Sequence, residues 1–193
     1  MILIAAIMAA SVPSTAMTLK PFRSAAACVI RKDRIGAADL AFTAPGSPDE
    51  ASAAANLKAL ANCSNGLAPS RVADGVALQL YSELVVSRTQ TPFSREAEAA
   101  IANSAVGQSE HATSEAAALN CLAALRPEAA DTFIKATPDT RAERESLTTL
   151  LATVPQCVPA GARAAWSPAD FRMGLARSMY RAAPVRDLVH KGY

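Results

Sequence analysis

Four cysteines set the frame of this chain, and they come as a repeat. Cys28 is followed by an Ala-rich apolar stretch, a break at Pro45, a second run closing on Cys63, then Gly66 and a last segment holding Gly75 and Tyr81. Cys121, Pro138, Cys157, Gly161, Gly174 and Tyr180 stand in the same order further on. Moving the second copy back by 93 positions puts Cys121 on Cys28, Phe133 on Leu40, Pro138 on Pro45 and Leu150 on Leu57; a shift of 94 matches Cys157 to Cys63. A shift of 99 matches Pro168, Gly174 and Tyr180 to Pro69, Gly75 and Tyr81. The offset changes only in connections, where extra residues cost least. Alanine columns match by chance, so the cysteines and the Gly-x5-Tyr endings carry the alignment. It predicts architecture and names no activity.

The opening MILIAAIMAASVPSTA has no charge and runs from an apolar stretch (Ile2 to Ala10) into small residues ending at Ala16. That is the shape of a secretory signal cleaved after Ala16. No Lys or Arg precedes the apolar run, which leaves an upstream start or an uncleaved anchor as alternatives; the run itself falls short of the ~20 residues needed to span a bilayer. The expected location is periplasmic or secreted, with no transmembrane segment in the mature chain. In an oxidising compartment an even number of cysteines at repeated spacing reads as a disulfide framework. Three pairings are possible, and a copied unit carrying its own staple favours Cys28–Cys63 and Cys121–Cys157. Closing a loop of that size stabilises a fold by roughly 4 kcal/mol in the chain-entropy view.

Alanine dominates the hydrophobic 51% while aromatics reach only 5%, a composition suited to close-packed helices rather than a sheet. Ser47-Pro48-Asp49-Glu50 is a capping box with proline at the first helical position, and Thr137-Pro138-Asp139 and Ser167-Pro168-Ala169-Asp170 repeat the theme. Asn65-Gly66 is a stop signal, and Pro155 is expected to end its helix near Cys157. Each copy reads as four helices: 24–32, 34–43, 48–63 and 70–86 in the first, 114–125, 127–136, 138–153 and 168–182 in the second. The apolar stripe Phe171, Leu175, Met179 has a counterpart in Val72, Val76, Leu80 and Leu84, so it is read as core. Trp166 is read as a hydrophobic staple before the Ser167 cap. The expected fold is all-α: a signal at 1–16, helical unit 1 at 17–87, a connecting segment at 88–110 with a short helix around Ser94–Glu98, and helical unit 2 at 111–193.

Chemistry-bearing motifs are scarce. A metal site needs several ligands at helix or loop spacing, and the two histidines, His111 and His190, have no cysteine near them in sequence. There is no Gly-x-Ser-x-Gly, Ser-x-x-Lys or Cys-x-x-Cys. Ser109-Glu110-His111 places triad residue types side by side, but neighbours on a chain point apart. Glu96 with Glu98 and Glu143 with Glu145 diverge on a helix, and the run Arg141-Glu143-Arg144-Glu145 reads as a solvated face. No catalytic, cofactor-binding or metal residue is expected, and no cofactor.

Charge is uneven although its sum is small. Residues 20–34 and 163–193 each carry a net +4 against a total of +2, so the middle is acidic. Solvation of terminal helices explains the basic ends, with weak contact to an acidic surface as the alternative. Nucleic acid is not an expected partner, because the basic segments lack interleaved aromatics. The frame of paired cysteines, Pro breaks and the ending Gly174-x-Ala-x-x-Met-Tyr-Arg181 resembles small uncharacterised exported helical proteins of alphaproteobacteria, over roughly residues 24–182. The resemblance implies export and a helical fold and transfers no site. The functional expectation is a non-enzymatic envelope protein that binds an unknown partner in a groove between the units. An envelope enzyme with its site in that groove and a purely structural or stress-related protein are the alternatives.

Overall fold

The computed structural model describes residues 15–86, 115–158 and 166–182, and these form an all-helical protein. Unit 1 is α1 (Thr15–Lys32), α2 (Arg34–Phe42), α3 (Pro48–Asn56), α4 (Ala59–Cys63) and α5 (Pro69–Val86); unit 2 is α6 (Glu115–Leu125), α7 (Pro127–Lys135), α8 (Arg141–Cys157) and α9 (Pro168–Ala182). Residues 1–14, the connecting segment with Ser94–Glu98, Gly161, His111 and His190 lie outside the described residues. Both disulfides are those the repeat favours, Cys28–Cys63 and Cys121–Cys157, tying α1 to α4 and α6 to α8. No described helix is long and apolar enough to cross a membrane.

The two last helices, α5 and α9, pack on each other and on the cysteine helix of their own unit, α1 and α6 respectively. Small residues set the close approach. A Cβ on Gly75 would lie 2.8 Å from the carbonyl oxygen of Phe22 in α1, and one on Gly174 would strike Leu119 Cδ1 in α6. One buried cluster therefore runs through both units, from Val29, Leu40, Val72, Val76 and Leu80 to Leu122, Phe133, Phe171, Leu175 and Met179. Phe133 and Phe171 meet edge to face at 5.6 Å. The staple forms as well: Trp166 and Phe171 have centroids 5.2 Å apart on either side of the Ser167 cap.

Four expectations need correction. The single helix expected over 48–63 is two, broken at Leu57, whose non-helical ψ of 85° turns the chain before α4. The helix expected from Pro138 begins at Arg141, because Thr140 is the cap and Asp139 sits at φ +67° in the preceding turn. α8 runs past its expected end at 153 and stops at Cys157, as the stop signal there predicts, with its last turn taking in Pro155. The N–H it lacks would have served the carbonyl of Leu151, a residue 50% exposed, where water can take that role. The helix expected at 24–32 starts at Thr15 and accommodates Pro21 on its exposed side, so cleavage after Ala16 would fall in its first turn.

The solvated-face reading also fails at three residues. Glu143 is 4% exposed, and Arg172 and Arg177 are 0% and 1% exposed. By contrast Lys20, Arg31, Lys32 and Arg34 are exposed. The basicity of the second end is thus partly internal.

Candidate functional site in the seam between the units

The buried arginines are held by a corner that both units build in the same way. In unit 1 the chain leaves α2 at Thr43, turns through Gly46 at φ +74°, and enters α3 with Ser47 accepting from the backbone N–H of Glu50. The Glu50 side chain returns to the turn, where Oε2 accepts from Gly46 N–H at 2.7 Å. In unit 2, Ala136, Asp139, Thr140 and Glu143 stand at the same places, and Glu143 Oε2 accepts from Asp139 N–H at 2.5 Å. The φ > 0 turn aims the N–H at the carboxylate in each case. Each corner then offers a guanidinium a C-cap carbonyl and the second carboxylate oxygen.

Both corners are filled from α9. Arg172 donates to Ala136 O (2.6 Å), Ile134 O (2.9 Å) and Glu143 Oε1 (2.6 Å), and its guanidinium lies 4.7 Å from the centre of the Phe133 ring. Burial pulls its pKa down while Glu143 holds it up. Arg177 crosses the seam: it donates to Thr43 O (3.0 Å), Glu50 Oε1 (2.7 Å) and Asp74 Oδ1 (3.0 Å) of unit 1. Unit 1 has no such arginine on α5, where the position matching Arg172 is Ala73. Charged groups this deep are tolerable only when paired and hydrogen-bonded.

Further polar links cross between the units. Arg71 pairs with Asp170, and Tyr81 donates to Asp131 at 2.8 Å, while Lys135 pairs with the same carboxylate. Burial, then the Asp131 charge, pushes the Tyr81 hydroxyl far above its usual range; burial also pushes Tyr180 up to about 12.

Beside the Arg177 corner lies a cleft of about 230 Å³, walled by Pro45, Ser70, Arg71 and Asp74 of unit 1 and by Glu115, Leu119, Trp166, Asp170, Arg177 and Arg181 of unit 2, among others. Arg71 bridges its two aspartates, reaching Asp74 on its own helix and Asp170 across the seam. Burial raises the pKa of Asp74 against the opposing pull of Arg177 and Arg71. Asp170 is shifted down: burial acts to raise it, and its bonds to Ser167 and Arg71 outweigh that. Arg181 donates through Nε to Phe42 O at 3.2 Å. Its pKa is lowered, first by burial and then by the charge of Arg177. The Ser178 hydroxyl is turned back to Gly174 O, as a helical serine often is.

The cysteines, the only site residues expected from sequence, come together as two covalent pairs that line no part of this cleft. Arg71, Asp74, Asp170, Arg177 and Arg181 are not found from sequence, because their partners lie up to 139 positions away. A local signal does exist at the corners: Ser47 with Glu50 in one copy and Thr140 with Glu143 in the other. Among the described residues no group of three His, Cys, Asp or Glu side chains is arranged to hold a metal. No protein-family model, curated protein or solved structure matches the chain.

Proposed function

We propose that this is an exported, disulfide-stapled binding protein of the cell envelope, non-enzymatic, which takes its ligand or partner in the cleft between the two helical units. The observation that carries the reading is that the cleft has walls from both units and that its Arg71, Asp74, Asp170 and Arg177 are already fixed by one another. Groups held in place before a ligand arrives lose little entropy when it binds. Export is supported by the uncharged apolar opening and by the absence of free thiols.

A second reading, an envelope enzyme, draws on the same lining. Converging ionisable groups are what a catalytic cleft holds, and Asp74 and Asp170 are shifted in opposite directions, as an acid and base would be. Both carboxylates are engaged by arginines, however, and the Ser178 hydroxyl is turned to a backbone carbonyl. These commitments suit recognition better than proton transfer.

The test places a photocrosslinking side chain at Ser70, in the cleft, and in a second variant at Leu151, exposed on α8. Crosslinking in intact cells, followed by mass spectrometry, should give an adduct specific to Ser70. Equal capture at both positions, or none at Ser70, refutes the seam as the binding site. Recovery of the protein in the cytoplasm with Met1 intact refutes export.

A further inference from the structure

We infer that the seam cleft binds a small organic acid bearing a single carboxylate, anchored on the guanidinium of Arg181. The inference rests on the cleft being the binding site, as proposed above. Three arginines line the cleft, and two are committed to carboxylates: Arg71 to Asp74 and Asp170, Arg177 to Glu50 and Asp74. Arg181 pairs with no carboxylate among the described residues, and its one hydrogen bond there uses Nε, which leaves both terminal amines without an acceptor among those residues. It is half-buried, so water solvates its charge only in part.

A carboxylate supplies what this group lacks. It brings two acceptor oxygens in the plane that a guanidinium fork requires, and a countercharge beside the adjacent pair of arginines. Burial and the charge of Arg177 both disfavour protonated Arg181, and a bound anion offsets both effects. The rest of the lining limits how much negative charge can enter. Asp170 and Glu115 face the same space, so a dianion such as phosphate meets about twice the repulsion that a monoanion does. Leu119, Pro45 and the Trp166 side chain provide an apolar surface for the body of the acid. A volume of about 230 Å³ admits a small molecule and not a folded partner.

Trp166 is the single tryptophan of the chain, so its fluorescence reports on this cleft alone. The oxidised protein is titrated with benzoate, with its neutral counterpart benzamide, and with inorganic phosphate, in buffer of constant ionic strength. Benzoate should saturate the signal at millimolar concentration while benzamide and phosphate leave it unchanged. Arg181→Gln should weaken benzoate at least about tenfold, the loss of one charge-assisted interaction, and Arg181→Lys should fall between. Melting temperatures for each variant separate lost binding from lost folding. Benzamide binding as tightly as benzoate, or a folded Arg181→Gln that retains wild-type affinity, overturns the carboxylate assignment and leaves the cleft as a binding site. Failure of benzoate while a ligand is captured at Ser70 overturns the assignment in the same way. If no probe binds and nothing is captured there, the cleft reading falls with it.

Discussion

Replacing Arg177 by methionine removes the cation that neutralises Glu50 while keeping much of the side-chain volume. In the wild type Glu50 is 6% exposed, with one oxygen on Gly46 N–H and the other on Arg177. The variant keeps the first bond and strands a carboxylate inside the protein; Asp74 retains Arg71 as a partner. Breaking a buried pair from one side costs about 3–5 kcal/mol, a large share of the roughly 5–15 kcal/mol that holds a folded protein together. Urea unfolding followed by circular dichroism, with disulfides intact, should show the midpoint falling at constant slope. Adding Glu50→Gln removes the stranded charge and preserves an acceptor for Gly46, so the double variant should regain more than about 1 kcal/mol, a coupling typical of contacting residues. An Arg177→Met protein within about 1 kcal/mol of wild type, or single-variant losses that simply add, would refute the corner as an ionic anchor.

The two seam glycines should differ although they are counterparts. Gly75→Ala meets a backbone carbonyl that cannot yield without parting α1 from α5, whereas Gly174→Ala meets the tip of Leu119, which can swing away; losses of about 3 and about 1 kcal/mol are expected from thermal unfolding. Tyr81 and Tyr180 have hydroxyl pKa values raised by folding, so their contribution is complete below about pH 10 and is lost as pH climbs through the folded values. Stability should fall by up to about 1.4 kcal/mol per pH unit for each tyrosine ionised only on unfolding, and Tyr81→Phe should flatten that slope. Stepwise reduction with alkylation and mass mapping should open Cys28–Cys63 first, since Cys28 is half-buried while Cys121 and Cys157 are 3% and 2% exposed and thiolate attack needs access. Complete loss of either crosslink should cost about 4 kcal/mol.

Local chemistry wrote most of the fold. The caps at Ser47 and Ser167, the stop at Asn65-Gly66 with both residues at positive φ, and the staple pairing of cysteines are short-range or repeated signals, and each stands in the structure as expected. Errors arise where a local rule meets a tertiary one. Pro138-Asp139 has the pattern of a helix start, yet the chain uses it as the turn that presents Asp139 N–H to Glu143. Glu143 sits in an alternating charge run that looks solvated, and only the approach of α9 makes it an interior anion. The candidate site is illegible for the same reason. Arg177 and Arg181 are spaced from the apolar stripe of α9 as surface residues would be, and what buries them is the other half of the molecule.

That half is made first. Glu50 precedes the arginine that completes its corner by 127 positions, an interval of roughly ten seconds at common rates of synthesis. During that interval unit 1 has its hydrophobic stripe and its capping box but holds a carboxylate with no counter-ion, at a site it cannot close without cost. The corner at Thr43 and Glu50 is therefore completed only when α9 is made. Unit 2 meets no such delay, since Arg172 lies only 29 positions beyond Glu143. Two halves built on one frame thus close in sequence, with one helix as the latch that shuts both.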